Sequence, residues 1–255
     1  MIRLVCSDLD GTLLEKGGVL PDGIFDAVRA LKKKGVLFAP ASGRQYDNLR
    51  SLFAPVRDEI AYICENGTLT VADGQKMGCG FFPEEVARQV IHDILSLDLQ
   101  LLLSVQDACL VLDTAPRSYT DDIVYRLRNT TRVIHDPMIY AGEAIKISGF
   151  AAEGLGDRAR ILQEKWRPVM HCDAVGPYWV DFTYNCKGDG IRALCDHYGI
   201  APEEIAAFGD AQNDRSMLEM VGHPFVMESG DLSLLNERAR TSKTVLGTLK
   251  ELFDL

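Results

Sequence analysis

The chain has 255 residues, of which 47% are apolar and 25% charged, and 37 acidic against 27 basic side chains give a net charge of -10. That length supports one large or two moderate domains with a continuous core, and the composition excludes disordered, collagen-like and low-complexity sequence. The negative charge repels nucleic acid and anionic lipid, and no stretch approaches the roughly 18 apolar residues of a membrane span. The seven cysteines are odd in number and lack CxxC pairing, so reduced thiols and a cytoplasmic location are expected, with neither nucleic acid nor membrane as partner.

Ile2 to Cys6 is short, apolar and partly β-branched, and it ends in an acidic turn, as a buried parallel strand does. Pro21 to Lys34 reads as a helix with Ile24, Val28 and Leu31 on one face and Gly35 as its stop. A strand over Val36 to Ala41, a helix over Tyr46 to Phe53 and a strand over Ile60 to Cys64 continue the alternation. Thr68 to Ala72 and Met77 to Phe82 flank Asp73-Gly74, a hairpin signal.

From residue 83 the grammar changes. A helix opening at Pro83, strands over Leu99 to Val105 and Cys109 to Asp113, and a helix near Arg117 to Arg128 are expected. A strand over Ala144 to Phe150, a helix near 155–166 and strands near 168–172 and 177–183 follow. Strict alternation resumes with a helix from Gly188 to Tyr198, a strand from Ile205 to Gly209, a helix through Met217 and Met220, a strand from Pro224 to Met227 and a terminal helix near Thr244 to Phe253. The fold class is therefore α/β, a doubly wound parallel-sheet (Rossmann-like) core formed by residues 1–82 and 184–255, with 83–183 inserted as a smaller α+β domain.

Four segments carry chemistry. Ser7-Asp8-Leu9-Asp10-Gly11-Thr12 follows the first strand, at the end of an open α/β sheet where ligands gather. Residues two apart on an extended backbone point the same way, so Asp8 and Asp10 are expected to converge; two such carboxylates call for a proton or a hard cation such as Mg²⁺. A plain Asp-Gly turn is the competing reading. Asp210-Ala211-Gln212-Asn213-Asp214 follows a later strand, and there Asp214 reads either as part of a metal site or as a helix cap. Ser42-Gly43-Arg44 follows the second strand and suits a phosphate oxygen or a simple helix cap. Lys187 opens a helix, where a cation is unwelcome unless an anion compensates it.

Order, spacing and strand-end placement of these segments resemble the haloacid dehalogenase superfamily. The large insertion and Glu65-Asn66-Gly67 resemble its Cof-type branch with a type-IIB cap, although Ser42 stands where Thr is usual. The resemblance implies a phosphoric monoester hydrolase with an aspartyl-phosphate intermediate: Asp8 as nucleophile and Asp10 as acid and base. It also implies Mg²⁺ held by Asp8, Asp10 and Asp210 with support from Asn213 and Asp214, and phosphate bound by Ser42, Gly43 and Lys187. The implied substrate is a small phosphorylated metabolite of the sugar phosphate class. Arg44, Trp179 and Asp181 are candidates for substrate specificity; the last two share the mixed face of an otherwise apolar strand, which lines a cleft or faces solvent. A phosphomutase of the phosphomannomutase type and a non-catalytic sensor of phosphorylated metabolites stay open as alternatives, and the sequence leaves the oligomeric state unassigned.

Overall fold

The computed structural model describes residues 1–255, the side chain of Cys79 excepted. In chain order, β1 (Leu4–Ser7), α1 (Ile24–Lys33), β2 (Leu37–Pro40), α2 (Tyr46–Leu52), β3 (Tyr62–Cys64), β4 (Leu69–Ala72) and β5 (Gln75–Cys79) come first. Then follow α3 (Glu84–Ser96), β6 (Gln100–Val105), β7 (Ala108–Leu112), α4 (Arg117–Asp121), β8 (Thr131–Ile134), β9 (Lys146–Phe150), α5 (Asp157–Trp166), β10 (His171–Val175) and β11 (Trp179–Thr183). The chain closes with α6 (Lys187–Tyr198), β12 (Ile205–Gly209), α7 (Arg215–Met220), β13 (His223–Met227), β14 (Arg240–Ser242) and α8 (Val245–Phe253).

Two compact units result, one of Met1–Gly78 with Cys186–Leu255, the other of Cys79–Asn185. In the first, a parallel sheet of order β14-β13-β12-β1-β2 has β1 near its centre. All four residues of β1 are buried, as a strand covered on both faces requires. Ile24, Ala27, Val28 and Leu31 form the buried stripe of α1, and each fully withdrawn Ile or Leu contributes about 1.5–3 kcal/mol. β3, β4 and β5 form a separate small sheet.

The second unit is a six-stranded sheet of order β10-β11-β9-β6-β7-β8, antiparallel except for the β7/β8 pair. Alternate residues divide between its faces. Leu101, Leu103, Leu110, Ile147, Val180 and Phe182 join the apolar cluster that includes Val90, Ile91 and Ile94 of α3 and Leu162 of α5, whereas Leu102, Cys109 and Val111 pack with Tyr119 and Ile123.

The units divide at 78/79 and 185/186, where the sequence suggests 82/83 and 183/184. Phe82 and Tyr184 explain the difference. Their rings meet edge to face at 5.1 Å, Phe82 is 3% exposed in the core of the second unit, and its amide donates to the Ala144 carbonyl. Locally, α1 starts at Ile24 rather than Pro21, and β5 starts two residues before Met77. The helix expected over Arg117 to Arg128 is α4 followed by a wider helical turn over Asp122–Arg126. Strands β8 and β14 were not expected; both are edge strands, of four and three residues, too short for an alternating pattern.

Candidate active site

The register of three strands brings the chemical residues to one sheet edge. Ser7 lies opposite Phe208 of β12 and Pro40 of β2; the Asp8 amide donates to the Phe208 carbonyl at 2.9 Å and the Ala41 amide to the Ser7 carbonyl at 2.8 Å. Asp8, Asp210 and Ser42 therefore leave the sheet side by side at the carboxyl ends of parallel strands about 4.8 Å apart.

Asp8, Asp210 and Asp214 offer carboxylate oxygens within 4.8 Å of one another. Lys187, fully buried, donates from Nζ to Asp8 Oδ1 at 2.5 Å and to Asp214 Oδ1 at 2.6 Å. The second oxygen of Asp214 accepts from the amides of Asp210 and Ala211 at 2.9 and 3.0 Å. Asp214 thus shapes the turn that carries Asp210 and anchors Lys187 at once, whereas its side chain makes no cap hydrogen bond to α7. Lys187 begins α6 at the positive end of its dipole, and two carboxylates supply the compensation that this position demands.

Asp210 is fixed from two sides. Thr12 donates from Oγ1 to its Oδ1 at 2.8 Å, and a Cβ on Gly11, whose φ is +93°, would stand 2.3 Å from its Oδ2. Only glycine gives both that backbone conformation and that closeness.

The charges are unevenly matched, with three carboxylates around one ammonium. Burial pushes the Asp8 carboxyl up, Lys187 pulls it back, and Asp214 and Asp210 push it further, to about 8. Asp210 is also raised, chiefly by burial and against the Thr12 hydrogen bond. Burial works against the Lys187 ammonium, but Asp214 and Asp8 more than reverse it and hold that group above the ordinary lysine range. Hard oxygen donors with surplus negative charge fit a small divalent cation such as Mg²⁺.

Asp10 departs from the expected convergence. Beyond Ser7 the chain turns back on itself over Leu9–Leu13, with Gly11 at φ +93° and the Leu14 amide donating to the Leu9 carbonyl, rather than continuing as a strand, so the two-residue period no longer applies. The Asp10 side chain is 62% exposed, and both its oxygens accept from Arg44, at 2.6 Å from Nη2 and 3.0 Å from Nε. Arg44, proposed from sequence for specificity, is thus the partner of Asp10.

Ser42 is 2% exposed. Its amide donates to Ile63 and its carbonyl accepts from the Asn66 amide, at 2.9 and 3.0 Å. Asn66 also stands beside Gly43, 3.1 Å from where a Cβ would lie. The brace is a run of three left-handed residues, Glu65, Asn66 and Gly67. A Cβ on Gly67 would lie 1.9 Å from the Cys186 carbonyl oxygen, which ties this loop to the start of α6 just before Lys187.

Asn213 lies half-buried in the turn Gln212–Asp214. Trp179 and Asp181 belong to the other compact unit. There Trp179 packs on Phe150 at 4.7 Å between ring centres, and Asp181 accepts from Ser148 at 2.7 Å with Lys146 3.9 Å away. Sequence reasoning missed the pinning role of Thr12, although it lies inside the quoted motif. It also missed the Gly230-Asp231 loop, whose Asp231 amide donates to the Asp210 carbonyl at 2.7 Å and which carries no distinctive motif.

The model of the haloacid dehalogenase-like hydrolase family matches residues 5–244. The chain is 26% identical over 235 residues to the 5-amino-6-(5-phospho-D-ribitylamino)uracil phosphatase YbjI of Escherichia coli, covering 89% of this chain and 86% of that one. It is 28% identical over 257 residues to the HMP-PP phosphatase of Cronobacter sakazakii, with coverage of 93% and 88%. Among solved structures, a HAD/COF-like hydrolase from Plasmodium vivax superposes with a TM-score of 0.87 at 21% identity over 99% of this chain and 96% of that one. A subclass IIB sugar phosphatase does so with a TM-score of 0.82 at 20% identity over 99% and 100%. No helix among the described residues is long and apolar enough to cross a membrane. An α/β sheet with acidic residues at adjoining strand ends and a family model spanning nearly the whole chain lead to one conclusion: the chain belongs to the haloacid dehalogenase-like hydrolase family and is an enzyme of that family.

Proposed function

We propose that the protein is a Mg²⁺-dependent phosphatase that hydrolyses a small phosphorylated metabolite, of the sugar phosphate class, through an aspartyl-phosphate on Asp8. The observation that carries this reading is the fully buried Lys187 ammonium set between Asp8 and Asp214 at 2.5 and 2.6 Å, beside Asp210. A lysine so placed neutralises the nucleophile's charge as a phosphoryl group approaches, and the covalent route divides one difficult displacement into two. The likeness to the two phosphatases of Escherichia coli and Cronobacter sakazakii supports a small phosphorylated metabolite as substrate.

In the first step a carboxylate oxygen of Asp8 bonds to phosphorus as the ester P–O bond breaks, and the departing oxygen takes a proton from Asp10. In the second, water attacks phosphorus, Asp10 receives its proton, and the Asp8–phosphate bond breaks to give inorganic phosphate. Arg44 holds both Asp10 oxygens by one hydrogen bond each, and each keeps a second lone pair on which the transferred proton can sit. Ser42, the Gly43 amide and Lys187 bind phosphoryl oxygens. Mg²⁺, held by Asp8, Asp210 and the Asp10 carbonyl, would supply neutralisation of phosphate charge. Asp214 and Asn213 support that site.

Turnover of a generic aryl phosphate with Mg²⁺ tests the reading. Asp8→Asn, which keeps the volume of the side chain, should abolish phosphate release without unfolding the protein; retained activity in that variant would refute it.

A further inference from the structure

The first compact unit holds a pocket of about 480 Å³ that contains none of the residues of the carboxylate site. It lies at the other ends of the strands. Arg3, Leu37 and Tyr62, which line it, stand at the starts of β1, β2 and β3, whereas Asp8 and Ser42 stand beyond the ends of β1 and β2. At about 3.3 Å per residue, Arg3 and Asp8 are about 16 Å apart along the strand.

Two features of the wall define what the pocket would accept. Its inner surface is apolar and aromatic: Ile60, Val71 and Ile200 are buried, and Tyr46, Tyr62 and Tyr198 contribute rings, with Tyr46 and Tyr62 meeting edge to face at 5.3 Å. Its rim is richer in cations than in anions, in a chain whose net charge is -10. Asp58 is shared by Arg50 at 3.0 Å and Arg57 at 3.6 Å, and Glu59 by Lys32 at 3.4 Å and Arg29 at 3.7 Å. Asp73, the third carboxylate of the lining, pairs instead with Tyr198 and His197. At Arg50 and Arg57, however, two cations share one carboxylate, which leaves one positive charge there to be met from outside. Arg50 also lies over the Tyr46 ring, 5.7 Å from its centre, and donates to the Tyr46 hydroxyl at 3.3 Å, so its guanidinium is held at the aromatic wall.

We propose that this pocket is a second ligand site, separate from the hydrolytic one, for a small aromatic anion: a planar ring held among the tyrosines and one acidic group met by Arg50 and Arg57. A volume of 480 Å³ falls within the range of small-molecule sites, roughly 300–1,000 Å³, and an apolar interior with a few placed charges is their usual make-up. Because each guanidinium offers Asp58 only one of its five N–H donors, both keep donors for the anion while they hold the carboxylate.

Calorimetric titration with 1-naphthalenesulfonate tests the proposal, since this probe has the ring and the anion but no phosphate ester to hydrolyse. Saturable binding at one site per chain is expected, with affinity lowered about tenfold or more by Arg50→Leu and by Arg57→Ser, the loss of one charged hydrogen bond. Binding should be unchanged in Asp8→Asn. Methanesulfonate, an anion without a ring, and 1-naphthol, a ring without an anion, should each bind at least about tenfold more weakly. The Arg57 side chain is 55% exposed, so its replacement leaves the fold intact should Arg50→Leu not. Absence of saturable binding, binding lost in Asp8→Asn, or equal affinity in folded arginine variants would overturn the proposal.

Discussion

Lys187 and Asp214 are both completely withdrawn from solvent and meet at 2.6 Å, although 27 residues separate them in the chain. Breaking a buried pair leaves an uncompensated charge, which costs far more than the pair itself contributes. Lys187→Met should therefore destabilise the protein by about 3–5 kcal/mol and remove activity. The double variant Lys187→Met with Asp214→Leu should recover part of the stability and none of the activity. Urea unfolding of the three proteins, read beside phosphate release, checks both statements.

The metal-free protein should lose stability as pH rises. The ordinary value of the Asp8 carboxyl is 3.8 and the folded value is raised to about 8, so folding favours the protonated form. The resulting stabilisation is complete below the lower value and disappears as pH passes through the upper one. Mg²⁺ binds the ionised form, so the gain in Tm that it produces should grow across the same interval. Melting curves with Mg²⁺ and with chelator at several pH values would show this, and a Mg²⁺ effect independent of pH would count against the assignment of Asp8 to the metal.

Gly11→Ala should lower Mg²⁺-dependent turnover at least about tenfold, because the added Cβ meets an Asp210 oxygen at 2.3 Å in a backbone conformation that costs a non-glycine residue about 1–2 kcal/mol. The change in Mg²⁺ concentration needed for half-maximal rate is the quantity to follow.

Asp10→Asn should separate chemistry from stability. Its carboxylate pairs with Arg44 largely in solvent, and pairs of that kind contribute about 0–1 kcal/mol, so the fold should hardly notice. Loss of the acid and base should slow hydrolysis of an alkyl phosphate by about 10²–10⁴-fold, and of an aryl phosphate, whose leaving oxygen needs less protonation, by less. The ratio of the two rates in the variant is the test.

The parallel core was legible because its strands are buried on both faces and read as unbroken apolar runs: Leu4, Val5 and Cys6 of β1 are all fully covered. Lys187 was legible as an electrostatic anomaly at a helix start. Strands β8 and β14 were not, since both owe their pairing to a neighbour at the sheet edge rather than to their own side chains. The Asp10 carboxylate was misplaced for a related reason. Its direction depends on a turn stabilised by Asp210, Thr12 and Gly11 together, and its partner Arg44 is 34 residues away, which local periodicity does not encode. The Gly67 contact with Cys186 likewise spans distant segments.

The most direct test of the account is the fate of the phosphoryl group itself. Acid quenching during turnover of a ³²P-labelled substrate, followed by peptide mapping, should place label on the segment that contains Asp8, release it with hydroxylamine as an acyl phosphate is released, and find none in Asp8→Asn. Steady phosphate release with no label on the protein, or label on any other residue, would contradict it.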